Sequence, residues 1–151
     1  MRNSCWFWEK IIYHIYYIME MIQAHYRVSV KARIVDDLWR PLFARVANAW
    51  DMLWWGIDHG ESPQEALIRE IKEEAWIEVI WVDDSPMHFI PYQTRRWLWK
   101  ANIYYKATLK NLDLIPTYEC LELRYMDRDE IMNEPVYPQL QKTSLYLMWQ
   151  E

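Results

Sequence analysis

Residues 55–77 read WGIDHGESPQEALIREIKEEAWI, and the rest of the chain is most easily understood as a scaffold around this stretch. Ser62 and Glu65 form a capping box, in which the Ser62 hydroxyl accepts from the backbone N–H of Glu65 and the Glu65 carboxylate accepts from that of Ser62. Pro63 falls at the first helical position, where its missing N–H costs nothing. No helix breaker follows before about residue 75, so the sequence predicts a helix that begins at Pro63.

The predicted helix carries an apolar stripe and an acidic edge side by side, at about 100° per residue. The apolar stripe is formed by Leu67, Ile68, Ile71 and Ala75. The acidic edge is formed by Glu70, Glu73 and Glu74, with Ala66 between them. Like charges three or four residues apart destabilise a bare helix by about 0.2–0.5 kcal/mol per pair. A divalent cation such as Mg²⁺ or Mn²⁺, which takes hard oxygen ligands, would remove that repulsion.

A second interpretation of the acidic edge needs no metal, because most charged helical runs are solvated faces. Arg69 can form i,i+4 ion pairs with both Glu65 and Glu73. This interpretation explains the letters REIKEE taken alone. It explains less well why Glu61 and the capping box precede them at their spacing, so the metal-binding interpretation is favoured.

The spacing resembles the Nudix box, in which a glycine, five residues, a glutamate and seven residues precede R-E-U-x-E-E-x-G-U, with U an aliphatic residue. Glu61 takes the first acidic position, residues 69–74 read REIKEE, and Ile77 takes the last aliphatic position. The sequence departs from the pattern at both of its glycines, where Trp55 and Trp76 stand.

This resemblance implies an α/β fold, the Nudix α/β/α sandwich with a mixed β-sheet between helices. It also implies a hydrolase that uses Mg²⁺ or Mn²⁺ to cleave the pyrophosphate bond of a nucleoside diphosphate linked to another moiety. By resemblance, Glu70 and Glu74 are metal ligands, and Glu73 is a third ligand or the group that activates water. Glu61 and Arg69 complete the catalytic set by holding the loop and the helix in register.

Length, charge and cysteine content narrow the class of protein. At 151 residues the chain has the length of one domain with a single core. A net charge of −5 argues against a protein that holds duplex nucleic acid by its phosphates, and the resemblance implies a small nucleotide-type substrate instead. Two cysteines do not make a disulfide framework, which predicts a cytoplasmic protein. No apolar run approaches the roughly 20 residues of a membrane span, so no membrane partner is predicted.

The chain divides into residues 1–22, an aromatic and apolar segment, and residues 23–151, the predicted Nudix domain. The first segment lacks the basic start and the small-residue cleavage site of a signal peptide. It is either translation upstream of a natural start at Met21 or a helix for packing or dimerisation, which would make the protein a homodimer.

Alternation of apolar and polar residues over 27–34 predicts a strand with one buried face and one basic face, which would meet substrate phosphates or water. The basic face contains Arg27, Ser29, Lys31 and Arg33. Further strands are predicted over 40–46, 51–54, 77–82, 87–93, 98–109 and 118–126. Helices are predicted over 127–133 and 137–150.

Candidate substrate- and cofactor-binding residues lie outside the helix. Arg45 resembles a position at which family members often carry a substrate-contacting arginine. Arg95 and Arg96 are flanked by tryptophans and suit a phosphate with a stacked base, although an ordinary turn explains them equally well. Glu119 and Glu122 are three residues apart, so at most one of them is expected to reach the metal.

Glycine and tryptophan contents are both unusual, because the chain has 2 glycines and 11 tryptophans. Trp39, Trp54, Trp55 and Trp76 stand where a tight turn, the glycine loop of the family or a helix C-cap favours glycine. We hypothesise that many of these tryptophans occupy glycine positions. One route is a UGA codon that the source organism reads as glycine. A core that is genuinely rich in tryptophan is the alternative.

Two other functions stay open. Trp54 and Trp55 stand in the loop whose backbone carbonyl binds metal in the family, and bulky side chains there favour a catalytically impaired Nudix-fold nucleotide-binding module. The aromatic residues also suit a partner-binding scaffold. The retained Glu61 and REIKEE segment favour the enzyme, in which His59 is an alternative general base.

Overall fold

The computed structural model describes residues 26–94 and 96–137, together with the single positions 12 and 140. Within residues 26–94 and 96–137, the helices are α1 (Pro63–Ala75) and α2 (Arg128–Asn133). The strands are β1 (Arg27–Arg33), β2 (Leu42–Val46), β3 (Ala49–Asp51), β4 (Trp54–Gly56), β5 (Val79–Val82), β6 (His88–Gln93), β7 (Trp99–Leu109) and β8 (Glu122–Tyr125).

A mixed sheet is built around β1 and β7, which run parallel over residues 27–33 and 100–106. β4 pairs antiparallel with β1 on the other side, and β5 and β6 pair antiparallel with successive parts of β7. A second, antiparallel sheet has the strand order β3-β2-β8. The predicted α/β class with a mixed sheet is confirmed.

Helix α1 begins as the sequence predicts. Ser62 Oγ accepts from the backbone N–H of Glu65, and the Glu65 carboxylate accepts from the N–H of Ser62. The helix packs against β1, β4 and β5. Its buried residues are Ala66, Leu67, Ile71 and Ala75. The predicted apolar stripe is wrong at Ile68, which is 42% exposed, because the sheet covers the arc on the Ala66 side of the helix instead.

Strand β1 differs from the prediction because both of its faces are buried from Ser29 onwards. Ser29, Lys31 and Arg33, on the face predicted to be accessible, are as inaccessible as the apolar residues between them. A second apolar cluster, which includes Phe43, Met52 and Tyr104, covers this side of the sheet. Lys31 Nζ donates to Asp51 Oδ1, so two buried charges satisfy each other.

Left-handed backbone occurs at several tryptophans in the described ranges. The non-glycine residues with positive φ are Trp39 (62°), Ala47 (51°), Trp76 (59°) and Trp97 (61°). The three tryptophan side chains are exposed, so burial does not offset the cost of this backbone conformation. Trp39 and Trp76 therefore do stand at positions that favour glycine.

Several predicted boundaries shift. The strand predicted over 77–82 begins only at Val79, and the one predicted over 118–126 is confined to β8. Asp127, predicted to start a helix, is the N-cap of α2. The helix predicted over 137–150 and the segment 1–22 lie outside the described residues except at positions 137, 140 and 12. No helix within the described ranges is long and apolar enough to cross a membrane.

Candidate active site

Arg69 joins the loop before α1 to the helix itself. Its Nε and Nη2 donate to the two carboxylate oxygens of Glu61 at 2.8 and 2.9 Å. Its Nη1 lies 2.8 Å from Glu70 Oε1 and 3.3 Å from Glu73 Oε2. The hydrogen bonds from Arg69 stabilise the charged form of Glu61 and lower the pKa of that carboxyl group below its usual value. The pKa of Arg69 is raised, mainly by Glu61 and to a smaller extent by Glu70. This arrangement fixes the loop against the first half of the helix.

On the sheet side of α1 lies a cleft of about 350 Å³. Its polar and charged wall contains Arg27, Trp55, Glu70, Glu74 and Glu119. The cleft also contacts Gly56 and the apolar side chains of β2 and the loop before β4. Three carboxylates from two separate parts of the chain therefore meet in one depression.

Thr117 explains how Glu119, in the loop before β8, reaches the helix. The Thr117 hydroxyl donates to the backbone carbonyl of Glu74 at 2.9 Å. The same oxygen accepts from the backbone N–H groups of Glu119 and Cys120 at 3.3 and 3.1 Å. The first hydrogen bond ties the loop to the C-terminal half of α1, beside Glu74, and the other two hold the turn of the loop itself.

Glu74 is the carboxylic acid most altered by this environment. Its side chain is half-buried, and loss of hydration raises its pKa from 4.5 to about 7. The negative charges of Glu119, Glu70 and Glu73 add to the rise. A cation in the cleft would favour the charged form of Glu74 and relieve the repulsion among these groups.

Trp55 closes one side of the cleft from strand β4. Its side chain is only 3% exposed and belongs to the apolar core beneath α1. Its indole N–H is buried without a hydrogen-bond partner among the described residues. The N–H lies near enough to the Glu74 carboxylate to oppose part of the rise in that pKa, but not at normal hydrogen-bonding geometry.

Glu73 lies apart from the cleft. Its side chain is largely exposed and pairs with Arg69 on the outer side of α1, where Glu61 and Trp76 also line a shallow depression. The sequence places Glu70, Glu73 and Glu74 on one edge, whereas the structure turns Glu70 and Glu74 towards the sheet and Glu73 away from it. Rotation of its side chain away from Arg69 would be needed to bring Glu73 to the other carboxylates.

The basic residues expected to contact substrate are not gathered at the cleft. Arg45 pairs with Glu122 at 3.3 Å and lines a different depression, although its neighbours Ala44 and Val46 do line the cleft. Arg96 is exposed in the turn before β7, and Arg95 lies outside the described residues. His59 is exposed and is not part of the cleft wall.

Two cleft residues were missed or only half identified from the sequence. Glu119 was one of a pair between which strand alternation could not choose, and the structure places it in a loop where alternation does not apply. Arg27 was assigned to a basic strand face, and its position at the first residue of β1 gave no sign that it borders the carboxylates.

The donor chemistry of the cleft suits a divalent metal ion. Glu70, Glu74 and Glu119 offer the hard carboxylate oxygens that Mg²⁺ and Mn²⁺ prefer. Within the described ranges, no three His, Cys, Asp or Glu side chains already stand at metal-binding separation. The carboxylates would therefore close on an ion by side-chain rotation.

A matching domain model and known proteins with a similar fold also indicate the Nudix family. A sequence model of the NUDIX domain matches residues 38–147. The MutT protein from Methanosarcina mazei Go1 superposes with a TM-score of 0.66 at 19% identity, over 80% of this chain and 91% of that one. A NUDIX-family hydrolase from Clostridium perfringens gives a TM-score of 0.62 at 21% identity, over 82% and 97% of the two chains. The E. coli dihydroneopterin triphosphate pyrophosphohydrolase gives 0.60 at 16% identity, over 81% and 95%.

At these sequence identities the solved structures show only that the fold is shared. The match to the domain model is what shows the family. Comparison with curated protein sequences gives no match. The matched region extends over more than half of the chain and includes the whole segment from Trp55 to Ile77. The chain therefore belongs to the NUDIX domain family.

Proposed function

We propose that the protein is a hydrolase that depends on Mg²⁺ or Mn²⁺ and cleaves the pyrophosphate bond of a nucleoside diphosphate linked to another moiety. One observation carries the proposal: Glu70, Glu74 and Glu119 meet in a single cleft beside the Nudix helix. Burial and mutual repulsion raise the pKa of Glu74 to about 7, which is typical of a carboxylate cluster arranged for a cation or for proton transfer.

The metal, when bound, would neutralise phosphate oxygens and lower the pKa of a bound water. Glu70 and Glu74 are the proposed ligands, because α1 aims both into the cleft. Glu119, or Glu73 after rotation from Arg69, would provide a third oxygen or accept the proton of the attacking water. Glu61 and Arg69 act indirectly, by holding the loop on the helix so that these carboxylates keep their places.

The test is a search for Mg²⁺- and Mn²⁺-dependent release of phosphate-containing products. The panel contains nucleotide sugars, ADP-ribose, dinucleotide cofactors and oxidised nucleotides, together with a pterin triphosphate because one structural neighbour acts on dihydroneopterin triphosphate. We expect turnover of at least one class, abolished by chelation. Metal-independent turnover, or none on the whole panel, would contradict the proposal.

The second candidate function is a catalytically impaired nucleotide-binding module. Trp55 favours it, because an indole ring fills the place of the first glycine of the Nudix box and closes one side of the cleft. Binding of a nucleoside diphosphate with no cleavage over long incubation would support this alternative. The enzyme remains the preferred proposal because the carboxylates and Arg69 are retained.

A further inference from the structure

We propose that Arg27 binds an anionic oxygen of the substrate's diphosphate group, on the side of the cleft that faces the carboxylates. The inference rests on the proposed pyrophosphohydrolase function and extends it by naming the residue that holds the anion. It assigns a substrate contact to a residue outside the Nudix box, on the first strand of the sheet.

The position of Arg27 follows from strand pairing. β1 lies between β7 and β4, and its register with β4 pairs Ser29 with Gly56. The Arg27 side chain extends along this edge, so that its Nη2 would lie 3.8 Å from a Cβ built on Gly56. Because Gly56 has no side chain, the guanidinium lies against open backbone at the cleft wall.

The positive charge of Arg27 is not neutralised by an ion pair among the described residues. Arg40, Arg69 and Arg124 each form close ion pairs with carboxylates. Arg27 forms none with a described residue, although Glu70, Glu74 and Glu119 line the same cleft. A guanidinium is always charged and presents several N–H donors in a plane, which suits the oxygens of a phosphate group.

Trp55 provides a second donor in the same cleft. Its indole N–H is buried, unpartnered among the described residues and part of the same cleft. Leaving a buried donor unsatisfied is unfavourable, so a ligand rich in oxygen would be favoured beside it. Two donors with spare capacity in the same cleft as three carboxylates indicate an anion that enters together with a cation.

The size and charge of the cleft limit what Arg27 can hold. About 350 Å³ is at the small end of the range of ligand pockets, roughly 300–1,000 Å³, so the diphosphate fits inside and the rest of the substrate extends outwards. Because the carboxylates would repel a bare anion, binding should require the divalent cation.

The experiment measures binding of inorganic pyrophosphate by isothermal titration calorimetry, with and without Mg²⁺. Wild type, Arg27→Gln, Arg27→Lys and a control, Lys106→Gln, are compared. Lys106 is an exposed residue of β7 outside the cleft, and its replacement changes the net charge by the same amount. We expect Arg27→Gln to weaken Mg²⁺-dependent binding by about tenfold or more, Arg27→Lys to restore part of it, and Lys106→Gln to change little.

Steady-state kinetics on whichever substrate is hydrolysed gives a second measurement. Loss of a ground-state phosphate contact should raise KM by a similar factor, with a smaller change in kcat. Equal pyrophosphate affinity in wild type and Arg27→Gln would overturn the assignment, as would an equal loss in Lys106→Gln or no binding by wild type. Pyrophosphate binding requires no turnover, so a failure of the proposed hydrolysis leaves this measurement interpretable.

Discussion

The two ends of the segment 55–77 carry the same residue type in opposite surroundings. Trp55 and Trp76 both stand at glycines of the Nudix box. Trp55 is 3% exposed, lies in strand β4 and has no left-handed backbone. Trp76 is 63% exposed and caps α1 with φ 59° and ψ 27°, in the left-handed region.

The difference shows that two positions at which the Nudix box has glycine can make different demands on the backbone. At residue 55 the strand backbone accepts any side chain, and the fold has buried the indole in its core. At residue 76 the backbone itself is strained for a residue with a Cβ, and no burial of the ring compensates. The same change, tryptophan to glycine, should therefore have opposite effects at the two ends.

The largest expected effect is at the buried end. Trp55→Gly should lower the free energy of unfolding by about 3–5 kcal/mol, because it leaves a large cavity in the core beneath α1. Denaturant unfolding followed by circular dichroism measures the change. Trp55→Phe, which keeps most of the volume, should cost clearly less. A rise in stability for Trp55→Gly would show that the ring strains this site instead of filling it.

The next largest expected effect is on catalytic activity. Glu74→Gln should reduce kcat by about 100-fold or more, because a proposed metal ligand loses its charge. Glu78→Gln is the control, because this exposed glutamate, one residue beyond the segment, lies outside the cleft and forms an ion pair with Lys110. It should leave kcat within about twofold. Similar turnover in wild type and Glu74→Gln would remove the catalytic assignment.

At the exposed end the expected change is smaller and of opposite sign. Trp76→Gly should raise the free energy of unfolding by about 1 kcal/mol, since glycine adopts the left-handed C-cap without the Cβ clash. Trp76→Ala is the matched control, because it removes the same ring but keeps a Cβ at positive φ. If both variants gain equally, removal of the exposed ring explains the effect and backbone strain does not.

The smallest expected effect concerns pH. Because the folded pKa of Glu74 lies near 7 and its ordinary value is 4.5, its ionisation destabilises the metal-free fold progressively as pH rises from 4.5 to 7. Glu74 is half-buried, so solvent screening limits the effect to about 1 kcal/mol. Metal-free Glu74→Gln should melt above wild type at pH 8, and the difference should disappear near pH 4.5. A difference independent of pH would contradict this account.

The coding DNA tests the origin of the left-handed tryptophans. If Trp39, Trp76 and Trp97 replace glycines through recoding, their codons should be UGA. UGG codons at these positions would contradict the recoding hypothesis without changing the expected stability effects, which depend only on the backbone angles.

Local signals explain what could be predicted. The capping box, Pro63 and the absence of a breaker fixed the start and length of α1, because helix capping depends on residues within one turn. The glycine preference of a C-cap likewise identified residue 76 as a left-handed position. The REIKEE spacing identified the carboxylates, since helical geometry places i,i+4 side chains side by side.

The sequence by itself therefore determined where α1 begins and ends, which family the chain belongs to and that the site is acidic. Only the tertiary structure decided which carboxylates meet, by rotating Glu70 and Glu74 towards the sheet and docking the Thr117 loop so that Glu119 joins them. It also brought Arg27 to the same cleft through the pairing of β1 with β4. These contacts join residues far apart in sequence, and their geometry depends on strand register and packing, which no local pattern encodes.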